Sequence, residues 1–207
     1  MSTTSRALTV FGVMAFLGLS ASNASAQGFR HVSGARFNGA GGVTAGRGTV
    51  ARGAYGGAFA RGGGVATNGQ GGAVAARGGA VRGPNGGVAA HGGYAATDGQ
   101  GNYRSGSVGA FRGPNGSQGS RQSSTQVNAD GSAFHQGSLQ ASGKNGGSVQ
   151  SSGSVSRSSD GQVNGQRTTT ATSKNGNTYT GTTSDQNGAV THTSGCADAG
   201  GNPISCR

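Results

Sequence analysis

The chain has no tryptophan and no glutamate, three prolines, two cysteines, and five aspartates as its only acids in 207 residues. Each shortage removes a class of protein. With so few carboxylates, the acidic pair of a glycoside hydrolase would have to come from scattered turn aspartates. Three prolines without a strict Gly-X-Y period exclude a collagen triple helix. Two cysteines cannot organise a disulfide scaffold; Cys196 and Cys206 leave one pairing, which would close a loop of about ten residues and staple the C-terminus. His192 lies nearby, but no fourth ligand follows at a recognisable spacing, so no metal site is expected. Bulky apolar residues are also scarce beside 46 glycines. Fixing backbone costs about 1–2 kcal/mol per residue, and Gly and Ala return little buried area at about 25 cal/mol per Å². A conventional two-layer core is therefore excluded, which leaves disorder or a repetitive fold held by short-range hydrogen bonding.

Long hydrophobic runs are missing too, with one exception. Arg6 precedes the apolar stretch Ala7–Leu19, which is followed by SASNASA with small residues at Ala24 and Ala26. This pattern predicts a cleaved signal peptide over 1–26, helical while it persists, and export of the rest. Thirteen apolar residues are too few to span a bilayer, which takes about 20. No later segment is apolar enough, so no transmembrane segment is expected in the exported chain.

What the sequence does have is repetition. Asn-Gly or Asp-Gly pairs begin at Asn115, Asp130, Asn145, Asp160 and Asn175, fifteen residues apart, with Asn85 in phase. A second series, Asn38, Asn68 and Asp98, steps by thirty. Ala66–Gly86 and Ala96–Gly116 match at 12 of 21 positions. Such pairs accept the two positive-φ positions of a type I′ turn between antiparallel strands. The intervening segments place β-formers at alternate positions, as Val149 and Val155 do, or are Thr-rich, as in Thr168–Ser173 and Asn177–Ser184. The repeat therefore reads as one hairpin. It has a turn at the Asn/Asp-Gly pair, an arm of five or six residues, a looser turn near Gly137, Gly153 or Gly181, and a return arm. Stacked hairpins give a β-meander or a β-solenoid. Glycine interrupts every window in which a helix could form.

Charge divides the chain near residue 123. Residues 27–123 hold ten arginines against Asp98 alone; residues 124–207 are nearly neutral and rich in Ser, Thr, Gln and Asn. The expected organisation is a signal peptide (1–26), a Gly/Arg-rich basic repeat region of composition compatible with disorder (27–123), Ser/Thr-rich β-hairpin repeats (124–195) and a disulfide-closed tail (196–207). Arginines at regular intervals in a glycine frame suit bidentate contact with phosphates or carboxylates. Arg47, Arg52, Arg77, Arg82, Arg104 and Arg112 are the candidates, with aromatic residues interleaved among them. The partners implied are extracellular DNA, acidic polysaccharide or lipid headgroups. A chain of this charge is also kept soluble by it. Asn and Gln along strand edges would favour self-association.

No catalytic constellation and no cofactor motif is found: there is no G-x-S-x-G elbow and no phosphate-binding P-loop. His91 and His135 stand where other copies of the repeat carry different residues. The segment Ser152–Gly181 (SGSVSRSSDGQVNGQRTTTATSKNGNTYTG) and the ending Cys196–Arg207 (CADAGGNPISCR), behind a signal peptide, are similar to exported Gly/Ser/Thr-rich repeat proteins of Gram-negative bacteria. The resemblance implies a periplasmic, extracellular or cell-surface location and no assigned activity. The expected function is thus structural or surface-associated and non-enzymatic, with the binding of anionic polymers through the arginine-rich half as the alternative.

Overall fold

The computed structural model describes residues 28–206; the predicted signal peptide lies outside the described residues. The strands are β1 (Gly28–Phe37), β2 (Val43–Arg52), β3 (Ala58–Thr67), β4 (Ala73–Arg82), β5 (Val88–Thr97), β6 (Tyr103–Arg112), β7 (Gln118–Val127), β8 (Ala133–Ser142), β9 (Ser148–Arg157), β10 (Val163–Thr172), β11 (Thr178–Gln186), β12 (Ala189–Ala197) and β13 (Pro203–Ile204). All thirteen form one sheet in sequence order, an up-and-down meander. The solenoid alternative is thereby set aside. The sheet also runs through the glycine-rich half without a break, because a ladder needs backbone N–H and C=O groups rather than side-chain area.

The repeat unit differs from the hairpin expected above. It is one ten-residue strand followed by one five-residue turn, so a hairpin takes thirty residues. Gly137, Gly153 and Gly181 are not turns but mid-strand residues of β8, β9 and β11, with ladder partners on both sides. Gly153 and Gly181 are placed where a neighbour needs room. A Cβ on Gly153 would lie 3.0 Å from the Cβ of Arg167 and 2.6 Å from the carbonyl oxygen of Gln166.

The turn type is also corrected. In Gly113–Ser117 the Gly116 N–H donates to the Gly113 carbonyl at 3.1 Å, and the Gly113 N–H donates to the Ser117 carbonyl at 2.7 Å. Only Gly116 takes a positive φ, at 85°. This is a type I turn closed by a left-handed glycine, a three-residue hairpin loop. Pro84 and Pro114 sit where that turn favours proline, directly after the first residue. The same pair of bonds recurs in the turns that contain Asp130, Asn145, Asp160 and Asn175. The type I′ geometry occurs at Asn187–Gly188, where both residues have positive φ (54° and 87°).

Register follows from this arithmetic. Cross-strand partners from β1 to β11 always share parity, as in Arg52↔Ala58, Ala58↔Arg82 and Arg82↔Val88. Side chains alternate along a strand, so all even-numbered residues of β1–β11 share one face and all odd-numbered ones the other. The two-residue turn before β12 swaps the parity there: Thr183 pairs with His192. Successive turns fall at opposite ends of the strands, which is why one end repeats every thirty residues.

No hydrophobic residue among those described is buried, and the buried polar side chains are Thr49 and Ser151. Thr49 Oγ1 is 2.9 Å from His31 Nδ1, while Ser151 Oγ meets Thr169 Oγ1 at 2.8 Å and accepts from Arg167 Nε at 3.0 Å. Cohesion is therefore between nearest-neighbour strands, as in repeat proteins generally.

The two edges are unlike. Among the described residues β1 offers a full ten-residue edge, whereas the last edge is covered at one end by the two-residue β13, which begins at Pro203 and pairs with Cys196 and Ala197, leaving residues 189–195 of β12 unpaired on that side. A Cys196–Cys206 disulfide, Cα–Cα 5.4 Å, ties down this end. Short strands and proline are devices that discourage further pairing.

Candidate functional site

The thirty-residue period turns sequence spacing into straight columns. Residues thirty apart occupy the same position two strands on, about 9.6 Å away at the usual strand separation. Arg52, Arg82 and Arg112 form such a column on the even face, each the last residue of its strand (β2, β4 and β6). Arg104 lies on the same face towards the opposite end of β6. Arg47 and Arg77 form a column on the odd face, in the middle of β2 and β4. The six candidate arginines are thus split between two faces and not gathered into one patch.

The odd face adds residues that the sequence reading passed over. Arg61, His91 and Arg121 are each thirty residues apart and share one cross-strand row, linked through Gly79 and Gly109. Arg47 and Arg77 stand in the adjoining row on either side of Gly63. From β2 to β5 the side chains of Arg47, Arg61, Arg77 and His91 therefore step diagonally, one per strand, and Arg121 follows on β7. All are exposed. Parity combined with the thirty-residue step was the available signal. Middle positions of the even face hold glycine instead: Gly48, Gly62, Gly78 and Gly92 are successive partners.

Glycine beside each of these side chains gives it room to lie down. A Cβ on Gly79 would come within 3.1 Å of His91 Cε1, and one on Gly109 within 3.4 Å of Arg121 Nε. Phe59 and Phe111 lie in the next row of the same face, beyond Arg61 and Gly109. Together Phe59, Arg61, Gly79, His91, Phe111 and Arg121 line a shallow open trough of about 500 Å³. Odd-face strand positions carry one carboxylate, Asp185, far along at β11. Diagonal neighbours such as Arg61 and Arg77 repel each other by roughly 0.6 kcal/mol if their charges stand about 7 Å apart in water. An anion between them removes that penalty.

Four turn carboxylates and three histidines have local duties. Hydrogen bonds from the Asn102 side chain, then from the Gln100 N–H, lower the Asp98 pKa from its ordinary value. Asp130 is lowered by the Ser132 hydroxyl and N–H, Asp160 by the Ser158 hydroxyl and the Gln162 N–H, and Asp198 by the Asn202 side chain and N–H. Each carboxylate clasps its own turn. Three histidines meet cross-strand threonines through Nδ1: His31 with Thr49 at 2.9 Å, His135 with Thr125 at 2.8 Å and His192 with Thr183 at 2.8 Å. Among the described residues no three His, Cys, Asp or Glu side chains come together as a metal site. Among them, too, no helix is long and apolar enough to cross a membrane.

Comparison with known protein families, with curated proteins and with solved structures finds no match to this chain.

Proposed function

We propose that the chain is an exported, non-catalytic structural protein of the periplasm or cell surface, whose working part is the sheet itself. The carrying observation is a single-layer sheet of thirteen strands, built from one repeated strand–turn unit, with no apolar side chain buried. Such a body presents two broad faces and needs no enclosed site. Its turn carboxylates serve the turns, and His31, His135 and His192 bridge strands. The β1 edge, ten residues without a partner among the described residues, suits pairing with a second copy or a surface component. The signal peptide read from the sequence supports export, and sequencing the N-terminus of the exported chain checks it, with Gln27 as the expected first residue.

Modularity gives the test. Deleting residues 88–117 removes two strands and two turns, and leaves every later residue on its original face and end. Deleting 88–102 removes one unit and turns the rest of the sheet over. The thirty-residue deletion is expected to keep the β-type far-UV spectrum and the cellular location of the parent. Global unfolding on that deletion would count against a nearest-neighbour structural sheet.

The arginine columns favour a second reading, a module that binds anionic polymers through the arginine-rich half. It predicts binding that falls steeply as salt rises, because bound counterions are released on contact.

A further inference from the structure

Resting on that second reading, we propose that the odd-numbered face holds a linear anionic polysaccharide laid across the strands, with its carboxylates on Arg47, Arg61, Arg77 and Arg121. Both faces carry arginines, but only the odd face has them at mid-strand. There Arg47, Arg61 and Arg77 advance one per strand from β2 to β4, about 4.8 Å at a time, and Arg121 lies three strands further on, in the row of Arg61. An extended polymer with an acidic group on each repeating unit matches that spacing. A guanidinium takes a carboxylate by two parallel N–H donors, and no carboxylate of the protein stands among these arginines to compete.

The floor of the stripe is also suited to a sugar. Gly79 and Gly109 carry no side chain between Arg61, His91 and Arg121, so the His91 and Arg121 side chains lie low across them and the trough stays shallow and open. Phe59 and Phe111 flank it, 39% and 47% exposed, and offer aromatic surface to the C–H side of a pyranose. A nucleic-acid duplex is a poorer occupant. Its phosphate strands wind away from a shallow open trough, so it would touch the stripe over a short length only.

Two charge-matched variants of the full chain decide the question. Arg61→Gln/Arg77→Gln/Arg121→Gln removes three charges from the stripe; Arg52→Gln/Arg82→Gln/Arg112→Gln removes three from the even-face column. All six side chains are exposed, so both variants are expected to keep the parent far-UV spectrum. Binding is measured to a polyuronate at low salt, with a neutral glucan and a single-stranded oligonucleotide of equal charge as comparisons. The odd-face variant is expected to lose affinity roughly tenfold or more, and the even-face variant to stay within about threefold of the parent. Equal losses in both would overturn the face assignment and leave the broader reading standing. Tighter binding of the oligonucleotide would overturn the polysaccharide class. If the parent binds no polyanion even at low salt, the broader reading falls together with the proposal.

Discussion

Gly137 and Gly153 face each other across β8 and β9, yet a side chain would meet different surroundings at the two positions. A Cβ on Gly137 has its nearest neighbour at 3.5 Å, an ordinary contact; one on Gly153 meets the Gln166 carbonyl oxygen at 2.6 Å. Gly137→Ala is expected to stabilise by about 0.4–1 kcal/mol through the unfolded chain. Gly153→Ala is expected to destabilise by about 1–3 kcal/mol, because backbone must shift. Urea titration of the two variants measures this, and equal midpoints would contradict the packing described. The same residues show what sequence pattern conceals at this scale. A glycine that turns the chain and a glycine that makes room for Arg167 look alike in one dimension. Only strand register tells them apart.

The turns are the elements in which pH acts. Hydrogen bonds hold the pKa values of Asp98, Asp130, Asp160 and Asp198 below the ordinary carboxylate value. A depressed folded-state pKa adds stability above the unfolded value, near 3.9, and that stability is lost as pH falls through the folded pKa. The melting temperature is therefore expected to drop below about pH 4. The fourfold Asp→Asn variant is expected to flatten that drop, since Asn68 already fills the place that Asp98 holds thirty residues on. Asn68 Oδ1 accepts from the Gln70 and Gly72 N–H groups, as Asp98 Oδ1 does from those of Gln100 and Asn102. An unchanged acid profile would show that the carboxylates do not clasp the turns. Many turn positions were legible from Asn-Gly and Asp-Gly pairs, but the turn at residues 53–57 lacks one and Asn164-Gly165 lies inside β10. Turn type was not legible, because the same pair fits a two-residue or a three-residue loop. Pro84 and Pro114, one residue ahead of the pair, were the clue to the longer loop.

At the scale of the whole molecule, the fifteen-residue period does most of the organising. Ten residues of strand and five of turn keep parity fixed from β1 to β11, so residue number alone assigns the face. The sequence showed the period and the lack of a core, and both hold in the sheet. It did not show that the Gly/Arg-rich half and the Ser/Thr-rich half share one architecture. Side-chain composition changes near residue 123, within β7, while backbone pairing does not. The functional surface was half legible for a related reason. Arginines were visible one by one, but the stripe needs two facts together, the thirty-residue step and the shared parity.

Distances between turns test the single-layer meander most directly. Tyr55, Asn115 and Asn175 occupy equivalent turns at one end of the strands, four strands apart in each step. With spin labels at pairs of these sites, 55–115 and 55–175 are expected at about 19 Å and 38 Å, a linear doubling with narrow distributions. Broad distributions near 43 Å and 60 Å, growing roughly as the square root of the separation, would mean a flexible coil and contradict the sheet.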